Sequence, residues 1–290
     1  MSTATVPYAV TGATGHIGSQ VARLLAQSGT TQRLLVRDPA RAPDLPGAQM
    51  VSAQYRDGAG MRSALRGVET LFLVSGSESA DRVTEHLSAV RAAAAAGVAR
   101  VVYLSFLGAA PDATFTFARD HWATEQAVRG SGMAFTFLRD SMYADYLPLM
   151  ADPTDRTIRG PAGGGKVGAV ARDDVAEVAA AVLTGPGHDG QTYQVTGPEA
   201  ITLHQAADLL TGATGRPVRY QPETLPEAYA SRAGFGAPGW EVDGWVTSYA
   251  AIATGELAPV TDTVPRLTGH PALSFAQLLR RRPELCAHLL

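Results

Sequence analysis

Six short apolar runs, each separated from the next by a more polar or helix-forming stretch, constrain this chain more than any other feature of its sequence. The runs YAVTG, QRLLVRD, QMVSAQ, TLFLVS, RVVYLSF and AFTFLRD are rich in Val, Leu, Phe or Tyr, and most end on a polar residue or glycine. Runs of that length and composition read as buried strands. Between several of them the helical period takes over. Ile17, Val21 and Leu24–Leu25 recur at helical spacing over residues 16–27. Val83, Leu87 and Val90 do the same over residues 79–96, with Gly97 placed to cap the C-terminus. Good helix formers also fill residues 117–129, up to Gly130. Strand and helix in repeated alternation predict an α/β fold: a doubly wound, parallel sheet with helices on both faces.

The alternation breaks after Leu147, where DPTDRTIRGPAGGGK introduces clusters of Pro and Gly. Residues 1–147 therefore read as the core, and residues 148–290 as a smaller mixed α/β cap that shapes a substrate cleft. Within the cap, VARDDVAEVAAAVL reads as a helix returning to pack on the core.

The run TGATG occurs twice, at Thr11–Gly15 and at Thr211–Gly215, and the flanks separate the copies. The first extends to TGATGHIG, follows the strand YAV and opens the helix HIGSQVARLL. A dinucleotide needs this arrangement: Gly12 permits the tight turn, Gly15 lets backbone N–H groups approach a pyrophosphate, and Gly18 lets the helix pack closely on the strand. The backbone of Thr14, His16 and Ile17 completes the loop and first turn, where the helix dipole favours negative charge. Residues 1–147 are thus a nucleotide-binding core. The second copy follows a helix and precedes Pro217 and the strand-like VRY. There Gly212 or Gly215 reads as a helix C-cap with no helix N-terminus after it to receive an anion.

The second strand carries the choice of cofactor. Dinucleotide folds that prefer NAD place an acidic residue at its end to hold the ribose hydroxyls. Here the strand ends LLVRDPAR, and Arg37 offers a planar fork to a 2′-phosphate, with Arg41 nearby. NADP(H) is favoured over NAD(H), with the adjacent Asp38 as the residue that would serve NAD. Gln54, Ser75, Gly76 and Ser105 follow the next strands at the same edge and are candidate adenine, ribose and nicotinamide contacts.

Composition narrows the partners. The net charge is −3, so no excess of Lys and Arg is available for nucleic acid. Cys286 is the single cysteine, which excludes an internal disulfide and any cysteine-based metal site. Neither a signal peptide nor a membrane span is legible. A cytoplasmic protein acting on a small molecule is expected, with no metal, no direct nucleic-acid partner and no membrane. A homodimer is the assembly left open.

Taken together, TGATGHIG, LVRDPAR, RVVYLSFLGAAPDATFTFARDHWATEQAVRGSG, TFLRDSMYADYL, VARDDVAEV and YQVTGPEAITL resemble a known family over nearly the whole chain. It is similar to the NmrA-like atypical short-chain dehydrogenase/reductases, in the branch of type 2 NAD(P)H quinone oxidoreductases and related azoreductases. The resemblance implies a Rossmann-type core, a small C-terminal cap and NADPH as cofactor. It implies an oxidoreductase passing hydride to a quinone or another activated small molecule, such as an enone, imine or aromatic ketone. The same family includes regulators that sense the dinucleotide without turnover, which is the alternative reading.

One departure bears on chemistry. Ordinary short-chain reductases use Tyr-x-x-x-Lys on the helix after the fifth strand, with both residues on one face. The matching stretch is FARDH, with Phe117 where tyrosine would stand and His121 where lysine would stand. Phenylalanine cannot donate a proton. His121 is a candidate to donate one, with Glu125 orienting the imidazole, or else to hold the cofactor. Tyr143, just past the sixth strand, is the second catalytic candidate. Arg139 and Asp140 read as an ion pair fixing its loop. Phe106, Trp122, Met142, Tyr143 and Trp240 are candidates to stack on or bind a flat substrate.

Overall fold

The computed structural model describes residues 6–290. The first strands and helices form where apolar pattern and glycine punctuation put them: β1 (Val6–Thr11), α1 (His16–Gln27), β2 (Gln32–Val36) and β3 (Ala48–Ser52). Then follow α2 (Gly58–Ala64), β4 (Val68–Leu73), α3 (Arg82–Ala96), β5 (Arg100–Phe106), α4 (Thr116–Arg129) and β6 (Ala134–Asp140). After these come β7 (Thr157–Gly160), β8 (Lys166–Val167), α5 (Arg172–Thr184) and β9 (Gln191–Val195). The remaining elements are β10 (Ile201–Thr202), α6 (Leu203–Thr214), β11 (Arg219–Pro222), α7 (Leu225–Arg232), α8 (Gly239–Ala253), α9 (Thr263–Thr268) and α10 (Phe275–Arg281).

Seven strands form one sheet in the order β3-β2-β1-β4-β5-β6-β9, and the pairs from β3 to β5 are parallel. The order reverses beside β1, so the connections from β1 and β4 leave the sheet in opposite directions. In open α/β sheets the crevice at the carboxyl ends of such strands is where ligands bind. One apolar layer packs Leu71, Leu73, Val101, Tyr103 and Phe137 of the sheet against Met61, Leu65, Ala89 and Ala93.

Helix α3 is turned relative to its apolar pattern. Val83 and Leu87 are only half-buried, whereas Arg82, His86, Ala89, Val90, Ala92 and Ala93 are buried. A tract of alanines satisfies several helical faces almost equally, so partners for Arg82 and His86 in the interior decide the rotation.

Two compact units share the chain. The first comprises residues 1–106, 120–139 and 175–193, and the second residues 107–119, 140–174 and 194–290. The units follow stretches of chain rather than a single cut, and α4 and α5 each contribute to both. In the second unit β7 pairs with β11 in parallel and β8 with β10 antiparallel. Helix α6 starts with a capping box between Thr202 and Gln205 and ends on Gly215 in the left-handed region, at φ 68°. The second TGATG is therefore the last turn and C-cap of α6, as its flanks predict.

The glycines of RGPAGGGK have unequal tasks. Helix α8 passes so close that a Cβ on Gly165 would stand 2.1 Å from the Ile252 carbonyl oxygen, while a Cβ on Gly164 would meet nothing. Gly165→Ala is expected to cost about 1–3 kcal/mol through overpacking. Gly164→Ala should stay within about 0.5 kcal/mol. Urea unfolding of the two variants checks this, and equal losses would show that α8 does not set the glycine requirement.

Candidate cofactor site

At the end of β1 the chain turns through Gly12, whose φ of 62° suits glycine, and Gly15 donates its N–H to the Gly12 carbonyl at 2.8 Å. A Cβ on Gly18 would lie 2.3 Å from that same carbonyl oxygen, so α1 can cross this closely only with glycine there. No side chain caps the N-terminus of α1, and its first turn contains no acidic residue. Gly12, Thr14 and Gly15 are exposed and His16 half-buried, while Ile17 and Gly18 are buried beneath them. The positive end of the helix dipole is thus presented at the sheet's carboxyl edge, with no acidic residue in the helix's own first turn.

At the end of β2, Arg37 and Asp38 are both exposed. The Asp38 carboxylate accepts from the Ala40 N–H at 3.0 Å and caps the short 3-10 helix Pro39–Arg41. It has a local structural task; Arg37 and Arg41 are exposed cations beside it. After β3, Gln54 is half-buried and accepts from Arg56 at 3.2 Å. The next residue, Tyr55, brings its hydroxyl to 2.7 Å from Thr11 Oγ1, which also accepts from the Val74 N–H at 2.8 Å. Tyr55 and Thr11 thereby tie together the ends of β1 and β4. Val74 also stands 3.2 Å from where a Gly12 Cβ would be, so the glycine turn rests on the loop that carries Ser75 and Gly76.

Beneath this edge the buried polar side chains are bonded to one another. His121 is only 5% exposed. Its Nε2 faces an Arg82 guanidinium nitrogen at 2.9 Å and its Nδ1 the Tyr103 hydroxyl at 3.0 Å. Burial, then the Arg82 charge, holds its pKa well below the ordinary histidine value. Glu125 does not orient the imidazole. Fully buried, it accepts from Ser105 at 2.6 Å and takes both arms of Arg139 at 2.8 and 2.7 Å. Arg139 therefore pairs with Glu125 and not with Asp140, because the strand turns consecutive side chains to opposite faces. Asp140 accepts instead from the Tyr143 hydroxyl at 2.6 Å. Ser105 is itself fully buried, with its hydroxyl given to Glu125.

The aromatic candidates are placed within their own units. In the first, the Phe106 ring lies 5.9 Å from that of His121, and Trp122 is half-buried. In the second, Met142 is buried and Tyr143 half-buried, with the Arg172 guanidinium over the Tyr143 ring. Trp240 meets Phe117 edge-on at 6.1 Å. Phe117 is buried, and a Cβ on Gly244 would clash with its ring, so the position where tyrosine would stand is filled by packing. Among the described residues no three His, Cys, Asp or Glu side chains gather to hold a metal ion. No described helix is long and apolar enough to cross a membrane.

Arg82, His86, Tyr55 and Tyr103 are not among the residues expected from the sequence. The available signal was Arg82 and His86 four residues apart, on one face of a helix otherwise rich in alanine.

A glycine turn, an uncapped helix N-terminus and a strand-order reversal define a dinucleotide-binding protein. A family model for NAD(P)H-binding proteins matches residues 12–186, and the chain belongs to that family. It is 38% identical over 275 residues to an NAD(P)H azoreductase of Xenophilus azovorans, covering 93% of this chain and 96% of that one. It is 39% identical over 272 residues to (4-alkanoyl-5-oxo-2,5-dihydrofuran-3-yl)methyl phosphate reductase of Streptomyces griseus, covering 92% and 94%. Among solved structures, the NADPH complex of quinone oxidoreductase QOR2 from Escherichia coli matches with a TM-score of 0.87 at 34% identity, over 94% of this chain and 99% of that one.

The buried histidines give stability a defined pH dependence. Burial first, then Arg82, pushes His86 down to about 3, and His121 is lowered in the same direction. In the unfolded chain both titrate near about 6.5. Below that value the unfolded chain takes up protons that the folded protein refuses. Stability is therefore full above about pH 6.5 and falls as pH drops, by about 1.4 kcal/mol per pH unit for each histidine. Urea unfolding between about pH 7 and pH 5 should show this slope, and His86→Gln should reduce it by about half. A flat profile would mean that the histidines are not neutral in the fold.

Proposed function

We propose that this chain is an NADPH-dependent oxidoreductase that passes hydride to a quinone or a similarly activated small molecule. The observation that carries the reading is the α1 N-terminus, with no side-chain cap and no acidic residue in its first turn, behind the Gly12–Gly15–Gly18 turn. These residues fit the cofactor because any side chain on Gly18 would close the cradle. The backbone of Gly12, Thr14, Gly15, His16, Ile17 and Gly18 would hold the pyrophosphate. Arg37 would take the 2′-phosphate, a role favoured because the Asp38 carboxylate caps its own turn. Gln54, Ser75 and Gly76 would line the nucleotide, with Ser105 and His121 supporting it from beneath.

The cofactor supplies the hydride when bound. A quinone that accepts hydride becomes a hydroquinone anion, a weaker base than an alkoxide, so little acid assistance is needed. That suits a site whose His121 is buried and neutral. Tyr143, held by Asp140, is the proposed contact to a substrate oxygen, and Phe106, Trp122, Met142 and Trp240 are proposed apolar contacts. The relatives' names, an azoreductase, a dihydrofuran reductase and a quinone oxidoreductase, support an electron-poor acceptor.

The test mixes purified protein with NADPH and a panel of quinones and follows the absorbance of the reduced nicotinamide. Tight binding of NADPH without oxidation across the panel would favour a sensing protein instead. Arg37→Ala should raise KM for NADPH about 10- to 100-fold, the worth of a lost charge-assisted contact, with NADH changed by less than about threefold. Gly15→Val should abolish cofactor binding, whereas Gly215→Val, at the end of α6, should lower stability and leave affinity intact. Equal losses of affinity from both would overturn the assignment of the loop.

A further inference from the structure

We infer that Arg82 is a positioning residue of the cofactor site, closing a ring of hydrogen bonds that grips both backbone polar groups of Gly76. The inference rests on the reading of this sheet edge as the NADPH site.

The ring can be followed atom by atom within the first unit. The Gly76 N–H donates to His86 Nε2 at 2.8 Å. With Nε2 accepting, the neutral imidazole carries its proton on Nδ1, which lies 2.9 Å from Thr124 Oγ1. Thr124 also acts on the Tyr103 hydroxyl, and its own hydroxyl donates onward to the Asp120 carbonyl at 2.8 Å. His121 Nδ1 lies 3.0 Å from the Tyr103 oxygen and its Nε2 faces Arg82 at 2.9 Å. Arg82 Nε then returns to the Gly76 carbonyl at 3.0 Å. A guanidinium cannot accept and an amide N–H can only donate, so every proton in the ring has one direction. Both histidines must be neutral, each with its proton on Nδ1, for all the bonds to exist together.

Gly76 is the point of the ring nearest the sheet edge, two residues beyond the Val74 against which the Gly12 turn rests. A loop held at both its N–H and its carbonyl cannot rotate a peptide plane without breaking the ring. Arg82 can span Gly76 and His121 because its donors sit on one planar fork. It also brings a buried positive charge to His121, at the position where ordinary short-chain reductases have lysine. The third nitrogen of the guanidinium lies 3.5 Å from Asp120.

The experiment compares Arg82→Lys, Arg82→Gln and Tyr103→Phe with the wild type by NADPH fluorescence titration, steady-state kinetics and thermal unfolding. Arg82→Lys keeps the charge but loses the fork, and should raise Kd for NADPH about tenfold, as should Arg82→Gln. Tyr103→Phe opens the ring on its far side without touching Gly76 or Arg82, and should raise Kd about threefold. The double variant Arg82→Gln/Tyr103→Phe should lose less affinity than the product of the two single losses, because both changes break one ring. Variants that unfold at lower temperature yet bind NADPH and turn over like the wild type would overturn the inference, as would independent, multiplicative losses. If the Arg82 variants do not fold, Tyr103→Phe decides, and an unchanged Kd overturns it. Failure of the wild type to bind NADPH would instead overturn the reading of the site itself, and with it this inference.

Discussion

The contact on which the rest of the structure depends is the passage of α1 over the carbonyl of Gly12, with only a hydrogen on Gly18 between them. That contact fixes how far the first helix turn stands from the end of β1. It brings the uncapped N–H groups to the one edge of the sheet where strand order reverses. Gly12 in turn rests on Val74, and Tyr55 and Thr11 bind the ends of β1 and β4 to the same point. A larger residue at Gly18 would therefore displace the helix, the turn and the neighbouring loop together.

The strands and the glycine loop were legible because each follows from a local rule: buried strands are short and apolar, and a tight turn under a helix needs glycine. The twin TGATG runs were legible from their flanks, since one opens a helix and the other closes one. The interior face of α3 was not. Its alanines fit any face, so Arg82 and His86 could be placed inside only once Gly76, Thr124 and His121 were known to receive them. Glu125 was placed on the right helix but given the wrong partner. Pairing with Arg139 depends on where β6 lies beside β5, which local sequence does not encode. Helix α2 and strand β9 went unread for a similar reason. The sequence of α2, GAGMRSA, is a poor helix former held by its Asp57 cap, and β9 alternates too weakly to stand out.

The first unit encloses an unusual amount of polar chemistry next to the ligand edge. An isolated charge or imidazole in such a place is destabilising, because burial removes its water. Here each group is compensated by a bond of fixed direction: Arg82 by Gly76 and His121, Glu125 by Ser105 and Arg139. Half-satisfied, such a network would cost more than an apolar core; complete, it specifies one arrangement. Its location argues that this specificity serves the loop above it, whose Gly76 it holds at both N–H and carbonyl.

That arrangement also limits what the proposed site can do with a proton. The Nδ1 proton of His121 faces Tyr103 and its Nε2 accepts from Arg82, so the ring has nothing to spare for a substrate without breaking. Phe117 is buried against Trp240 and Gly244 and offers no hydroxyl. A simple ketone, whose reduction leaves a strongly basic alkoxide, would find no acid at the positions where ordinary short-chain reductases keep theirs. An acceptor that delocalises the incoming charge needs none, because its anion can wait for a proton from water. On the proposed reading, the chemistry that the FARDH stretch gave up and the acceptors named by the relatives therefore have one cause. A site built to hold a cofactor rigidly and to donate no proton selects substrates by how well they carry negative charge themselves.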